Sequence, residues 1–133
     1  EQEQKRALEI FKDFPAPELG YTEITKKYDD AETVRVQLTR IKENWPEFKK
    51  KLQGQVYSFS RMQDLLRKAG APYDPSMIGV TRGMLRNMFP KVQLMRFRFN
   101  VLDLAKRGMF YDQLVDAVFA PGAAWDLTKE VMR

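Results

Sequence analysis

Apolar residues recur at helical spacing in most segments of this chain, and a proline or glycine follows nearly every such segment. The clearest case is formed by Val34, Leu38, Ile41 and Trp45, which are separated by four, three and four positions. Residues spaced in this way lie on one side of an α-helix, whereas a half-buried strand needs strict alternation of apolar and polar residues. The pattern therefore predicts a chain built from helices.

Capping signals divide the chain into short helices. We expect Asp30 to cap the helix that contains Val34, because its carboxylate can accept the free N–H groups of a first turn. Ser60 with Gln63 matches a capping box, and Asn100 with Asp103 resembles a second helix start. The predicted ends lie at prolines and glycines, namely Pro15, Gly54, Gly70, Gly108 and Pro121.

These signals predict an all-α fold, a single compact helical bundle of about five to seven helices with short capped connections. Residues 1–133 are expected to form one domain, with 120–133 as a tail. We interpret residues 15–30 as mostly polar connection, and Pro90 is expected to break or kink its helix because it lacks an N–H donor. The predicted inward faces of two successive helices are Met62, Leu65, Leu66 and Ala69, then Met84, Leu85, Met88 and Phe89.

The stretch LMRFRFNVLDLA alternates arginine with phenylalanine over Arg96, Phe97, Arg98 and Phe99. This alternation is too short for a strand, so the stretch is interpreted as one helix ending, a tight corner and another helix beginning. Phe97 and Phe99 are expected to pack the corner into the core, with the two arginines at its rim. Stacking of nucleic acid on these rings is disfavoured, because no sheet or known recognition signature accompanies them.

Positive charge is concentrated in one part of the chain. The whole sequence has 23 basic and 18 acidic residues, a net charge of +5. Residues 82–107 alone hold seven basic residues and one acid, Asp103. Such a segment is either an ordinary solvated helix face or a surface that attracts an anionic partner, and both interpretations remain open.

The composition excludes several kinds of catalysis by this chain alone. It contains no histidine and no cysteine, so the usual nucleophilic triads and zinc sites are ruled out. Neither glycine-rich nucleotide loop is present, and the adjacent Asp29 and Asp30 are better explained by helix capping. Because the sequence has no cysteine and no apolar run of membrane-spanning length, we expect a soluble, cytoplasmic protein.

Four stretches occur in the same order as in a known enzyme family. They are 45–52 (WPEFKKKL), 65–72 (LLRKAGAP), 74–82 (DPSMIGVTR) and 95–104 (MRFRFNVLDL). Together they resemble the C-terminal helical part of the sn-glycerol-1-phosphate dehydrogenases, a family in the dehydroquinate-synthase-like and iron-alcohol-dehydrogenase-like group. The resemblance extends from about residue 30 to residue 110. The family usually has Thr where Asn100 stands here, and both residues cap helices.

The resemblance implies an enzyme that reduces dihydroxyacetone phosphate with NAD(P)H and a divalent metal, which polarises the substrate carbonyl. In such enzymes a Rossmann-like domain supplies the nucleotide loop, and an Asp and two His hold the metal. Those motifs are missing here, so we expect the chain to be the last third of a larger enzyme, and its start at Glu1 rather than Met agrees with that interpretation. NAD(P) and the metal would then be held by the remainder of the enzyme.

On this interpretation the chain has an architectural role. It forms one wall of the substrate cleft, packs on the metal-bearing helices and contributes to a homodimer contact. Arg96 and Arg98 are candidates for binding the substrate phosphate, because a guanidinium fork matches phosphate oxygens, with rim ion pairs as the plainer alternative. The alternative function is a non-catalytic helical module that binds a protein partner or acidic ligand through residues 82–107.

Overall fold

The computed structural model describes residues 1–27 and 29–129, which fold into α-helices joined by short connections. The eight α-helices within these ranges are α1 (Gln2–Phe11), α2 (Leu19–Lys27), α3 (Ala31–Glu43), α4 (Trp45–Gln55), α5 (Phe59–Lys68), α6 (Arg82–Leu94), α7 (Val101–Arg107) and α8 (Tyr111–Phe119). Two short 3-10 helices are Pro75–Ile78 and Leu127–Lys129. No strand occurs in these two ranges, and the predicted all-α helical bundle is confirmed.

Side-chain caps fix two helix starts where the sequence predicts them. At the start of α3, an Asp30 carboxylate oxygen accepts a hydrogen bond from the Thr33 N–H at 2.7 Å. At the start of α7, the Asn100 side chain accepts hydrogen bonds from the N–H groups of Leu102 and Asp103, while the Asp103 side chain accepts one from the Asn100 N–H. Both helices therefore begin at positions that local chemistry determines.

Helix α5 begins earlier than predicted. Ser58 caps it by accepting a hydrogen bond from a backbone N–H of the first turn at 3.3 Å. The predicted capping box of Ser60 with Gln63 is wrong, because Ser60 lies inside the helix and Gln63 Nε2 donates to a backbone carbonyl of the following turn. The predicted end is confirmed: Gly70 has a φ of 67°, a left-handed conformation that strains other residues.

Of the break or kink predicted at Pro90, the break is wrong, because α6 runs from Arg82 to Leu94 with Pro90 inside it. An internal proline costs a helix about 3 kcal/mol in isolation. Tertiary contacts on both sides of the proline offset this cost. Phe89 packs on α8 with its ring 5.3 Å from that of Phe119, and Leu94 is completely buried near α1.

Helix α2 forms where the sequence indicates a mostly polar connection, so that interpretation is wrong. The helix lies close against α1 at Gly20, where an added Cβ would stand 2.7 Å from the Phe11 ring and 3.3 Å from the Ala7 carbonyl oxygen. Short helices of mixed composition are marginal by themselves, and most of their stability comes from packing. Contact with α1, rather than a local signal, therefore explains α2.

The buried apolar residues form two clusters, and α6 packs against both. The first cluster, on α7 and α8, consists of Leu102, Ala105, Tyr111, Val115 and Phe119. The second, between α1 and the end of α6, consists of Ala7, Phe11 and Leu94. Full burial of a leucine or phenylalanine side chain contributes roughly 1.5–3 kcal/mol. These clusters therefore hold α1, α6, α7 and α8 together.

Helices α3, α4 and α5 contribute no buried residue. The prediction that Met62, Leu65 and Ala69 face a core is wrong, since all three are exposed, the first two by 44% and 42%. The inward placement predicted for Met84 and Met88 of α6 is also wrong, because 47% and 38% of their surfaces remain accessible. The apolar sides of these helices lack cover within the described part of the chain.

The chain folds back onto the bundle after α8. Trp125 packs against the cluster on α7 and α8, and Asp126 beside it is buried. The Asp126 carboxylate accepts hydrogen bonds from the Gly122 N–H at 2.8 Å, the Thr128 N–H at 2.9 Å and the Thr128 hydroxyl at 2.6 Å. These bonds anchor the first part of the predicted tail, whereas residues 130–133 lie outside the described residues.

Substitution of Gly20 by alanine is expected to destabilise the protein by about 1–3 kcal/mol, because the new methyl group would overlap the Phe11 ring. Gly54 lies inside α4, so the helix end predicted there is wrong, and this residue offers a matched control. No atom lies within 4 Å of a Cβ added there, so Gly54→Ala should raise stability by roughly 0.5–1 kcal/mol. Urea unfolding measures both changes, and the close packing of α1 on α2 would be contradicted if both variants were stabilised.

Asp126 is expected to make the protein sensitive to acid. The hydrogen bond from the Thr128 hydroxyl and the one from the Gly122 N–H lower the pKa of Asp126 from 3.8 to about 2. A carboxylate with a depressed folded-state pKa stabilises the fold above its unfolded pKa, and the effect is lost as pH falls through the folded value. Melting temperatures should therefore drop between about pH 4 and about pH 2, and less steeply in Asp126→Asn. If the melting temperatures of the unchanged protein and Asp126→Asn fell equally with pH, the role of Asp126 in acid sensitivity would be contradicted.

Candidate functional site

A buried ion pair joins α2 to α7. Lys27 and Asp103 are only 8% and 4% exposed, and the lysine Nζ lies 2.9 Å and 3.1 Å from the two carboxylate oxygens. The same Nζ donates to the backbone carbonyl of Gln93 in α6 at 2.5 Å. Because a buried charge without a partner is costly, these contacts hold three helices in one arrangement.

The Asp103 carboxylate is satisfied from two further directions. Gln93 Nε2 donates to its Oδ1 at 2.9 Å, and the Asn100 N–H donates to its Oδ2 at 2.9 Å. One side chain thus completes the helix cap of α7, neutralises Lys27 and binds the last turn of α6. The position of the corner between α6 and α7 is fixed by this carboxylate.

Arg107, in the last turn of α7, joins the same region to α3. Its guanidinium donates to the Lys27 carbonyl at 2.8 Å and pairs with an Asp29 carboxylate oxygen at 2.8 Å. It also donates to the side-chain oxygen of Gln37 in α3. Asp29 is therefore the partner of a half-buried arginine, and its neighbour Asp30 serves as the cap of α3.

The corner itself, residues 95–100, contains no helix or strand, as the sequence predicts. The prediction that Phe97 and Phe99 pack into the core is wrong, because they are 54% and 52% exposed. Gln93 and Leu94 occupy the buried space at the end of α6, so the phenylalanines project from the corner. The backbone N–H of Phe97 donates to a Glu23 carboxylate oxygen at 2.7 Å, which ties the corner to α2.

The two exposed rings contact cations and line a cleft. Lys26 Nζ lies 5.8 Å from the centre of the Phe97 ring, and the Arg107 guanidinium carbon lies 4.9 Å from that of Phe99. Arg40 and Ile41 of α3 also line the cleft, whose volume is about 510 Å³. The cleft combines apolar walls with several cationic groups.

Most of the basic segment 82–107 is neutralised within the molecule. Four of its seven cations pair with acids: Arg82 with Asp74, Arg86 with Asp116, Lys106 with Glu3, and Arg107 with Asp29. Arg96 and Arg98 are exposed and have no acidic partner among the described residues, and neither lines the cleft. The structure places these two predicted phosphate ligands on either side of Phe97, and their role stays a prediction.

Sequence reasoning missed most of the residues that converge at this site. Asp103 was identifiable only as a helix cap, and nothing near Lys27, Gln37 or Arg107 in the sequence indicates their contacts, which join residues 66 to 80 positions apart. The described residues contain no group of three or more acidic side chains placed to hold a metal ion. They also include no helix of sufficient length and apolarity to span a bilayer.

Comparison with known proteins gives no relative. No protein-family model matches the chain, and neither the curated proteins nor the solved structures contain a significant match.

The buried pair should dominate stability in this region. Replacing Lys27 with methionine leaves the Asp103 carboxylate buried without its cation, and we expect a loss of about 3 kcal/mol in the free energy of unfolding. Lys26→Met is the matched control, because Lys26 is an exposed neighbour whose ion pair with Glu23 contributes about 1 kcal/mol or less. Denaturant unfolding of the two variants tests the difference, and equal losses would contradict the role of the pair.

Proposed function

We propose that this chain is the C-terminal helical portion of an NAD(P)-dependent sn-glycerol-1-phosphate dehydrogenase-like enzyme, in which it shapes and supports the substrate cleft. The observation that carries the proposal is the uncovered apolar surface of α4 and α5. The choice of this enzyme family rests on the four stretches that resemble it and occur in the same order.

The uncovered surface suits a chain that packs permanently against further polypeptide. In α4, Trp45, Phe48 and Leu52 lie on one side of the helix and are 36–45% exposed, and α5 exposes Phe59 and Met62 to a similar degree. The accessible surface of the chain is 10,017 Å², whereas folded monomers of 15.6 kDa typically expose roughly 7,200 Å². The excess on this chain is about 2,800 Å², and permanent interfaces bury roughly 2,000–5,000 Å² counted over both partners, so it is large enough for one side of such an interface.

The four resembling stretches coincide with structural joints. The first opens α4 with Pro46 in its first turn, and the second ends α5 at the left-handed Gly70. The third contains the 3-10 helix that Asp74 caps, and the fourth is the corner that ends in the Asn100 capping box. Residue identity at such positions is constrained by backbone geometry, so the resemblance falls on residues that determine where the helices of this chain begin and end.

The chain's own residues do not fit a nucleotide or metal site. It has no histidine, cysteine or glycine-rich phosphate loop, and the described residues bring no three acidic side chains together around a cation position. In the proposed enzyme, NAD(P) and the divalent metal are therefore held by the remaining polypeptide. The contribution of this chain is the rigid corner between α6 and α7 and the apolar faces that pack on the other part.

The reading frame that encodes this chain tests the proposal. We expect an upstream glycine-rich turn after a strand, together with the histidines that this chain lacks. The protein made from that frame should oxidise NADH or NADPH in the presence of dihydroxyacetone phosphate and lose this activity with a chelator. A frame that begins with Met immediately before Glu1 would contradict the proposal and favour the interaction module.

In the proposed enzyme, Arg98→Ala is expected to raise the KM for dihydroxyacetone phosphate about tenfold, with kcat nearly unchanged, because a charge-assisted hydrogen bond to phosphate would be lost. Arg96→Ala should act similarly. Arg61→Ala is the control, since the Arg61 side chain is exposed on α5 and its guanidinium carbon lies 4.5 Å from the centre of the Tyr57 ring. An unchanged KM in both corner variants would remove the phosphate role from this proposal.

The alternative function, a free-standing module that binds an acidic partner through residues 82–107, receives less support. Only three of the seven cations in that segment lack an acidic partner within the described residues, and one of them, Lys91, lies 4.9 Å from the centre of the Phe14 ring. The field of this segment is weaker than its sequence charge indicates.

A further inference from the structure

We propose that the cleft between α2, α3 and the α6–α7 corner binds a small organic anion that has a flat apolar body and a single negative charge. The proposal rests on the walls, the floor and the uncompensated charge of this cleft. It does not depend on the dehydrogenase assignment.

The walls of the cleft are apolar and aromatic. Phe97 and Phe99 present about half of their surface to solvent, and Ile41 of α3 lines the same space. Exposure of two neighbouring phenylalanines in a short fixed corner leaves apolar area that a flat ligand would remove from water. A volume of about 510 Å³ falls within the range of small-molecule sites.

The floor of the cleft is formed by Arg107, whose guanidinium is held by several contacts and whose charge is already neutralised. Arg107 contacts three oxygen acceptors, from Lys27, Asp29 and Gln37, so its guanidinium is held in place beneath the Phe99 ring. Its charge is balanced by Asp29. Such a preorganised floor limits the entropy that a ligand must remove from the protein on binding.

Within the described part of the chain, one cation at the cleft has no acid to balance it. Lys26 pairs with Glu23, and Lys27 pairs with Asp103. Arg40, which lines the cleft from α3, has no acidic partner among the described residues. A single free guanidinium beside two aromatic rings matches one carboxylate or similar anion attached to an apolar body.

Calorimetric titration of the 133-residue chain with three probes tests this match. The probes are 1-naphthoate, its neutral analogue 1-naphthalenemethanol, and acetate, which has the charge without the rings. Binding of 1-naphthoate should be at least tenfold tighter than binding of either other probe, because only it uses both the rings and the cation. Undetectable binding of 1-naphthoate, or equal affinity for the neutral analogue, would overturn the proposal.

Two arginine variants assign the site. Arg40→Gln should weaken 1-naphthoate binding about tenfold and leave 1-naphthalenemethanol unaffected. Arg35→Gln is the matched control, because Arg35 is exposed on the same helix as Arg40 but pairs with Glu32 and does not line the cleft. Phe99→Leu should weaken both naphthyl probes, and circular dichroism should show unchanged helicity in all three variants. If the affinity for 1-naphthoate fell equally in the Arg40 and Arg35 variants, the anion would be attracted to the charge of α3 in general. That result would overturn the proposed site.

Discussion

The arrangement of this protein depends on one buried ion pair, Lys27 with Asp103. The two residues are 76 positions apart, on α2 and α7, and their charges meet only when these helices pack together. A buried lysine and a buried aspartate are tolerable only when they meet, because either charge alone would remain unsolvated. Since the lysine also binds the end of α6, satisfying this pair sets the positions of α2, α6 and α7 at once.

The exposed corner follows from this constraint. The end of α6 is fixed by buried Gln93 and Leu94, and the start of α7 is fixed by the Asn100 cap. The short connection between these two fixed points runs over the surface, so its phenylalanines cannot reach the core. The same contacts bring α2 and α3 beside the corner and thereby form the cleft, whose aromatic walls and free Arg40 motivate the anion-binding proposal.

Burial is unevenly distributed over the chain, and this unevenness supports the proposed role. The clusters around α6 resemble the core of an independent domain, whereas α3, α4 and α5 bury no residue and expose large apolar side chains. An apolar stripe of this kind on a helix is stable in water when another surface covers it. A structural part of a larger enzyme, as proposed above, would meet that requirement.

The sequence by itself determined what depends on neighbouring residues: the all-α class, the caps at Asp30 and Asn100, and the helix end at Gly70. Each of these follows from one side chain or one backbone angle acting on residues a few positions away. Tertiary structure alone decided the rest. Helix α2 forms because Gly20 lets it approach α1, and α6 continues through Pro90 because both of its halves are packed. The site could not be read from the sequence, because its contacts join residues that are distant in the chain and meet only when the helices pack.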